Sequence, residues 1–228
     1  MGREIEKAAL ERGHEIVSII DIDNPEDFDS PAFLRSTDVA IEFTRPESAY
    51  ANYRKCFERH IPVVAGTTGW LKHLDEIKKT CRNQGHTFFY ASNYSLGVNL
   101  FFALNRQLAK MMNRFPEYDV RMEEIHHIHK LDAPSGTAIT LAEDIVKHID
   151  RTNRDTLPIE SKREGEVPGI HEVVYESDAD MIRIRHEAKN RKGLALGAVL
   201  AAEFIYGKAG FFTMDDFFTI INNFKIQL

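Results

Sequence analysis

Residues 123–138 read Glu-Glu-Ile-His-His-Ile-His-Lys-Leu-Asp-Ala-Pro-Ser-Gly-Thr-Ala, and they hold the densest chemistry in the chain. His126, His127, His129 and Lys130 fall within five consecutive positions. On an extended strand, side chains alternate between faces, which predicts His126, Ile128 and Lys130 on one face and His127 and His129 on the other. An imidazole titrates near neutrality and can release a proton in a transition state. A lysine can hold a carboxylate as a point charge. Pro134 then breaks the strand, and Ser135, Gly136 and Thr137 lead into a helix expected to start near Ala138. A helix start presents free backbone N–H groups and the positive end of the helix dipole, a ready anion site. A proton donor beside an anion cradle points to a small carboxylate substrate. Plainer readings stand beside this one: a structural histidine, a metal-binding cluster, or a Ser-Gly-Thr run that only caps a helix. No acid or cysteine stands at a convincing ligand spacing, so no metal is expected.

The elements that must position these groups alternate between two periods. Ile5, Ala8, Ala9 and Leu10 predict a helix over 3–12, stopped by Gly13. Strands are expected at 14–21, 38–43, 61–65 and 86–91. Helices are expected over 47–60, with Pro46 at its start, and from the turn Gly66-Thr67-Thr68-Gly69 to about residue 84. Short apolar strands alternating with amphipathic helices indicate an α/β, doubly wound parallel sheet. A longer apolar helix covers 98–113. Strand-like runs follow at 119–128, 170–177 and 180–187, with one helix at about 138–149 and a polar stretch, 150–169, that reads as a long loop. This second pattern suggests an α+β domain with a mixed sheet. Residues 194–228 return to a helix-rich apolar pattern. The expected division is 1–94 with 200–228 as one domain, and 95–199 as the other.

The composition excludes several classes. The chain has 228 residues, 43% hydrophobic and 28% charged, with a formal net charge of -6. That is ordinary globular composition with enough length for a sizeable core. An acidic balance and scattered basic residues give no nucleic-acid footprint. No run approaches the roughly 18 apolar residues of a membrane span, and residues 1–7 have no signal-peptide character. Cys56 and Cys81 sit in predicted helices and read as reduced thiols. The expectation is a cytoplasmic protein without membrane or nucleic-acid partners.

The run from Glu124 to Ala138 resembles the signature of the 4-hydroxy-tetrahydrodipicolinate reductase family, E-x-H-H-x-x-K-x-D-A-P-S-G-T-A. Further segments are similar in order and spacing: Ile41 to Glu47 (with Glu42 where aspartate is commoner), Gly66 to Gly69, Ala91 to Asn99, His186 to Ala198, and Gly210 to Phe217. The resemblance covers nearly the whole chain. It implies a Rossmann-like domain followed by a substrate-binding and oligomerisation domain. It implies hydride transfer from NADH or NADPH to a cyclic, α,β-unsaturated imine dicarboxylate formed by loss of water, in diaminopimelate and lysine biosynthesis. By position, His126 falls on the family's proton donor and Lys130 on its catalytic lysine. His127, Ser135, Gly136 and Thr137 fall where it holds the substrate's carboxylates. Gly2, Phe43, Thr44, Gly66, Thr67, Thr68, Ser92, Asn93 and Tyr94 fall where it holds the dinucleotide. Asp21, ending the strand expected at 14–21, would accept hydrogen bonds from the adenosine ribose hydroxyls, with Asp23 as second candidate. No arginine is adjacent to Asp21, so a 2′-phosphate would meet an acid, and the preference tilts toward NADH. A homotetramer is also implied.

The departure from the family lies at the start. Family members open with a strand and a Gly-x-Gly-x-x-Gly turn, and Met1-Gly2-Arg3-Glu4 matches only the end of that turn. The expectation is that the first strand, about a dozen residues with its turn, is missing, most simply through a start assigned to a methionine inside the turn. Unpaired neighbours should then leave the first domain poorly stable and weak for NADH. Two other readings remain: a non-catalytic dicarboxylate-binding remnant, and an amino-acid dehydrogenase of the same two-domain plan, against which the His-His-x-x-Lys-x-Asp-Ala-Pro-Ser-Gly-Thr run argues.

Overall fold

The computed structural model describes residues 1–223, with side chains through 219. The chain divides into two compact units, one of residues 1–95 with 192–228 and one of residues 96–191. Its fold class is α/β: a parallel four-stranded sheet in the first unit and a mixed four-stranded sheet in the second.

The first unit opens with α1 (Gly2–Glu11), followed by α2 (Pro31–Ser36), β1 (Ala40–Glu42), α3 (Pro46–Glu58), β2 (Val63–Ala65), α4 (Leu74–Gln84) and β3 (Thr87–Tyr90). Its sheet has the order β1-β2-β3-β8, all parallel, and β8 (Gly210–Phe212) comes from the far end of the chain. Proline opens α2 and α3, where its missing N–H costs nothing and its fixed φ suits the first turn. Gly85 closes α4 in the left-handed conformation. Between sheet and helices, Tyr53, Trp70 and Phe88 meet edge to face at centroid distances of 5.0–5.5 Å, the arrangement that ring quadrupoles favour. The helix α7 (Lys192–Ile205) returns to pack on α1 and on β1, β2 and β3. A bidentate pair of Arg12 with Glu203 (2.6 and 2.8 Å) fastens the end of α1 to it.

Residues 14–21 overturn an expectation. They form no strand, none of them is buried, and they join no ladder among the described residues. Their Ile and Val pattern suits a strand, but strands exist only in pairs. Here the edge strand β1 is bonded on one side, to β2.

In the second unit, α5 (Leu96–Met112) and α6 (Gly136–His148) cover one face of the sheet β5-β4-β6-β7. The central strand β4 (Asp119–His126) runs parallel to β5 (Ile159–Arg163) and antiparallel to β6 (Ile170–Glu176), which pairs antiparallel with β7 (Met181–Glu187). Strand β5 corrects the expectation of one long loop over 150–169. Its sequence, Ile-Glu-Ser-Lys-Arg, is polar because it is an edge strand, and only partners distant in sequence make it a strand. The buried Asn105 of α5 donates to the Leu141 carbonyl of α6 (3.1 Å), tying the two helices together. The helix-rich pattern expected to the end of the chain also hides β8. It holds for α7 and α8 (Met214–Asn223), and residues 224–228 lie outside the described residues.

Candidate active site

Strand β4 carries Val120, Met122, Glu124 and His126 on one face, all buried. Val120 and Met122 belong to the apolar core under α5 and α6. The same period of two brings Glu124 and His126 to the end of that face. The chain leaves the strand after His126, and Lys130 N donates to the His127 carbonyl (3.1 Å) in a turn. Lys130 therefore does not stand on one strand face with His126 and Ile128, as alternation predicted. A turn was chosen over a longer strand because Arg163 donates to the carbonyls of Lys130 (3.2 Å) and Asp132 (2.6 Å) and bends the segment back. The Lys130 ammonium lies 2.8 Å from Asp132, and holds that carboxyl below its usual range.

Helix α6 begins at Gly136, with Ser135 as its cap accepting from Ala138 N (3.2 Å). The N–H groups of Gly136 and Thr137 have no acceptor among the described residues. Free N–H groups at a helix start are suited to an anion. Ser135 N–H is not free. It donates to both carboxylate oxygens of Glu124, at 3.0 and 3.1 Å. His127 keeps a buried Nδ1 without a partner among the described residues, and its ring lies 5.9 Å from that of His129, which is exposed and pairs with Glu166.

His126 is 7% exposed. Its Nδ1 lies 3.5 Å from Glu124 Oε2, beyond ordinary hydrogen-bond reach. Its Nε2 faces Gly169, where a Cβ would come within 3.2 Å at a φ of +155°, so a side chain there would press on the ring. Burial, and then the neighbouring His171, push the imidazole down against the pull of Glu124, to about 4, with Lys130 and Arg163 acting in the same direction. Burial alone would raise the Glu124 carboxyl. The approach of His171 (3.6 Å) and hydrogen bonds from Ser135 and Ser161 outweigh it and bring the group down to about 2.

Both shifts tie stability to pH. Unfolded, His126 gains its proton near 6.5, its ordinary value; folded, near about 4. Between those values the unfolded chain carries the extra proton, so stability is lost as pH falls from 6.5. For Glu124, stability present above its ordinary 4.5 is lost as pH falls toward about 2. We expect the melting temperature to drop steadily below pH 6.5. His126→Gln should flatten the part between pH 6.5 and 4. An unaltered slope in the variant would contradict this assignment.

Sequence reasoning missed His171, Ser161 and Arg163, which arrive from β6 and β5. Glu124, His126 and His171 offer ligand atoms within 4.8 Å of one another. Both oxygens of Glu124 already accept N–H or O–H donors, and His171 Nε2 already meets Ser135 Oγ at 3.0 Å. This cluster has the bonding of a hydrogen-bonded network rather than of an ion cage.

In the first unit, the ends of β1, β2 and β3 gather Phe43, Thr44, Gly66, Thr67 and Tyr94. A Cβ on Gly66 would meet the Phe43 ring at 2.1 Å, so the close approach requires glycine. Phe43 also touches Tyr94 (5.7 Å between rings), and Tyr94 donates to the Ala65 carbonyl (2.8 Å). Glu42, 8% exposed, organises this cluster. It accepts from Thr44 N (2.9 Å), Thr67 Oγ1 (2.8 Å) and Tyr53 Oη (2.9 Å), and from the Thr44 hydroxyl. Thr68 and Ser92 are exposed beside it, and Asn93 accepts from Ser95 N (2.9 Å). Gly2 stands in the first turn of α1 with open space around its Cα, and no bond ties it to this cluster. Asp21 does not end a strand. It lies in an exposed turn, its N–H on Asn24 (2.7 Å) and its carboxylate on Ile22 N (2.7 Å).

The two units thus pair a parallel sheet carrying glycine-threonine loops at its strand ends with a mixed sheet whose buried histidine lies two residues from the carboxylate that holds the start of α6. Sequence profiles for the N-terminus and C-terminus of dihydrodipicolinate reductase match residues 1–94 and 97–218. The chain belongs to the dihydrodipicolinate reductase family. It is 49% identical over 224 residues to the 4-hydroxy-tetrahydrodipicolinate reductase of Christiangramia forsetii, covering 95% of this chain and 92% of that one. The Neisseria meningitidis serogroup C protein of the same name is 34% identical over 82% of this chain and 75% of its own. Among solved structures, the dipicolinate-bound dihydrodipicolinate reductase of Paenisporosarcina sp. TG-14 shares the fold with a TM-score of 0.74 at 20% identity, over 93% of this chain and 92% of that one.

Proposed function

We propose that this chain reduces 4-hydroxy-tetrahydrodipicolinate to tetrahydrodipicolinate, with His126 as proton donor and Lys130, His127, Ser135, Gly136 and Thr137 holding the substrate's carboxylates. It is an NAD(P)H-dependent oxidoreductase of diaminopimelate and lysine biosynthesis. The observation that carries the residue assignment is the buried His126 at the end of β4, in the same unit as the free N–H groups of Gly136 and Thr137. When bound, the cofactor supplies a hydride. The fit for it rests on Thr44 and Thr67, which Glu42 fixes at the strand ends, beside the close packing of Phe43 on Gly66. Phe43, Thr44, Gly66, Thr67, Thr68 and the Ser92–Tyr94 segment hold the dinucleotide in this reading, with Gly2 at the pyrophosphate end and Asp21 at the ribose.

The chain's own residues then do two things. The cationic groups and helix start bind and orient a dianion. His126 would supply the proton that accompanies reduction. An acid at position 21 favours NADH over NADPH, because a 2′-phosphate would face like charge. The protein works as a homotetramer in the cytoplasm in this reading. Ile182 and Met181, exposed apolar residues on the edge strand β7, suit an interface, and no helix among the described residues is long and apolar enough to cross a membrane. The buried Cys56 and Cys81 thiols are pushed up to about 12 and about 11, which makes them inert.

The test is a spectrophotometric assay of the purified chain with 4-hydroxy-tetrahydrodipicolinate and each cofactor, followed through loss of the dihydronicotinamide absorbance. Turnover is expected with both, and a lower KM for NADH. Binding of pyridine-2,6-dicarboxylate without turnover of either cofactor would instead mark a non-catalytic binding protein.

A further inference from the structure

The register of the second sheet sets one polar row across its strands. Ser161 of β5 is the direct partner of Glu124 in β4, Glu124 is the partner of His171 in β6, and His171 is the partner of His186 in β7. Glu124 is fully buried, at 0% exposure, in the middle of this row. Taking a carboxylate out of water is expensive unless donors replace the lost hydration. Here Ser161 Oγ donates to Oε1 (2.8 Å), and Ser135 N–H reaches both oxygens. His171 Nε2 stands 3.6 Å away and Arg163 3.8 Å. Two of these contacts lead straight into the proposed site. Ser135 is the residue that caps α6 and so fixes where the Gly136 and Thr137 N–H groups point. His126, two positions along the same strand, has its unpartnered Nδ1 facing Glu124 Oε2.

We infer that Glu124 is a positioning residue that ties the proton donor and the carboxylate cradle into one rigid piece, with Ser161 and His171 as its supports. One side of the carboxylate anchors the turn that presents the anion-binding N–H groups. The other sets the charge that His126 feels. No contact of Glu124 with the substrate is required, because it acts through Ser135 and His126. The inference rests on the reductase reading only for the identity of the reaction; the coupling itself belongs to the free protein.

The charged groups that face His126 are Glu124 on its own strand, Arg163 on β5, His171 on β6 and Lys130 in the following turn. Removing the charge of Glu124 takes away the one anion among them. In Glu124→Gln, the His126 ring followed by NMR in the ligand-free protein should therefore titrate at lower pH than in wild type. The Ser135 amide should exchange with solvent roughly 10-fold faster or more, having lost a charged acceptor. Affinity for pyridine-2,6-dicarboxylate, by calorimetry, should fall about 10-fold to 100-fold, the usual span for a hydrogen bond to a charged group. Glu124→Asp keeps the charge and should return the His126 titration toward wild type while recovering only part of the affinity. Ser161→Ala removes one support without touching the charge, and should speed Ser135 exchange by a smaller factor, about 3-fold; it carries the test if Glu124→Gln does not fold.

Wild-type values for the His126 titration and for Ser135 exchange in Glu124→Gln would overturn the inference. So would a lowered melting temperature with an unmoved His126 titration, which is what a merely structural role predicts. If the wild-type chain fails to turn over substrate, the reaction assigned above is wrong, and the two measurements on the free protein still decide the role of Glu124.

Discussion

Replacing His126 by glutamine lowers turnover by a factor of about 10² to 10⁴, the usual share of a positioned general acid. Affinity for the cofactor stays near wild type, since the residues assigned to the dinucleotide belong to the other unit. Glutamine fills much of the ring's space against Gly169 and keeps an N–H, but it has no proton to give at neutral pH. The loss should appear in kcat more than in KM, as for an interaction made in the transition state. His129→Gln is the control. His129 is exposed, its ring nitrogen pairs with Glu166, itself on the surface, and its loss should cost little. Steady-state kinetics of the two variants decide the matter. Equal losses from both would point to a structural cluster instead. Because the free protein holds the ring at about 4, the acid form at neutral pH depends on the negative charge that the substrate brings beside it.

The second large effect concerns Lys130. Lys130→Ala should weaken binding of pyridine-2,6-dicarboxylate by about 2 kcal/mol or more, roughly 30-fold in the dissociation constant. The ammonium is free to serve a ligand because its present partner, Asp132, is itself 59% exposed and can return to water. The backbone of the turn is held independently by Arg163, so the alanine variant should keep the loop in place and lose the charge alone. Titration calorimetry reads the difference. A dissociation constant equal to wild type would remove Lys130 from the site.

Much of this site was legible because its groups are close in sequence. His126, Lys130 and Ser135 to Thr137 fall within twelve residues, and local rules supply both the strand and the helix start. The supporting groups were not legible. Ser161 and His171 reach Glu124 only through strand pairing, and no local pattern encodes register between segments 37 and 47 residues apart. The polar β5 reads as loop for the same reason. Glu124 was visible as a letter in a motif without a role, and Glu42 as a departure from one. Their meaning lies in who donates to them. The opposite error, the strand expected at 14–21, came from reading propensity without a partner: Ile16, Val17 and Ile20 suit a sheet, yet they join no ladder among the described residues.

The first unit is assembled from both ends of the chain, with β8 and α7 supplied by the last 37 residues. This sets a timetable during synthesis. At about 5 to 20 residues per second, the ribosome delivers those residues roughly 2 to 7 seconds after the second unit is complete. In that interval β3 has no neighbour where β8 will pair, and the faces of β1, β2 and β3 that α7 will cover are bare. The mixed-sheet unit, whose contacts are contiguous in sequence, can settle first. The parallel-sheet unit, which needs both segments, is thus later to close than the mixed-sheet unit.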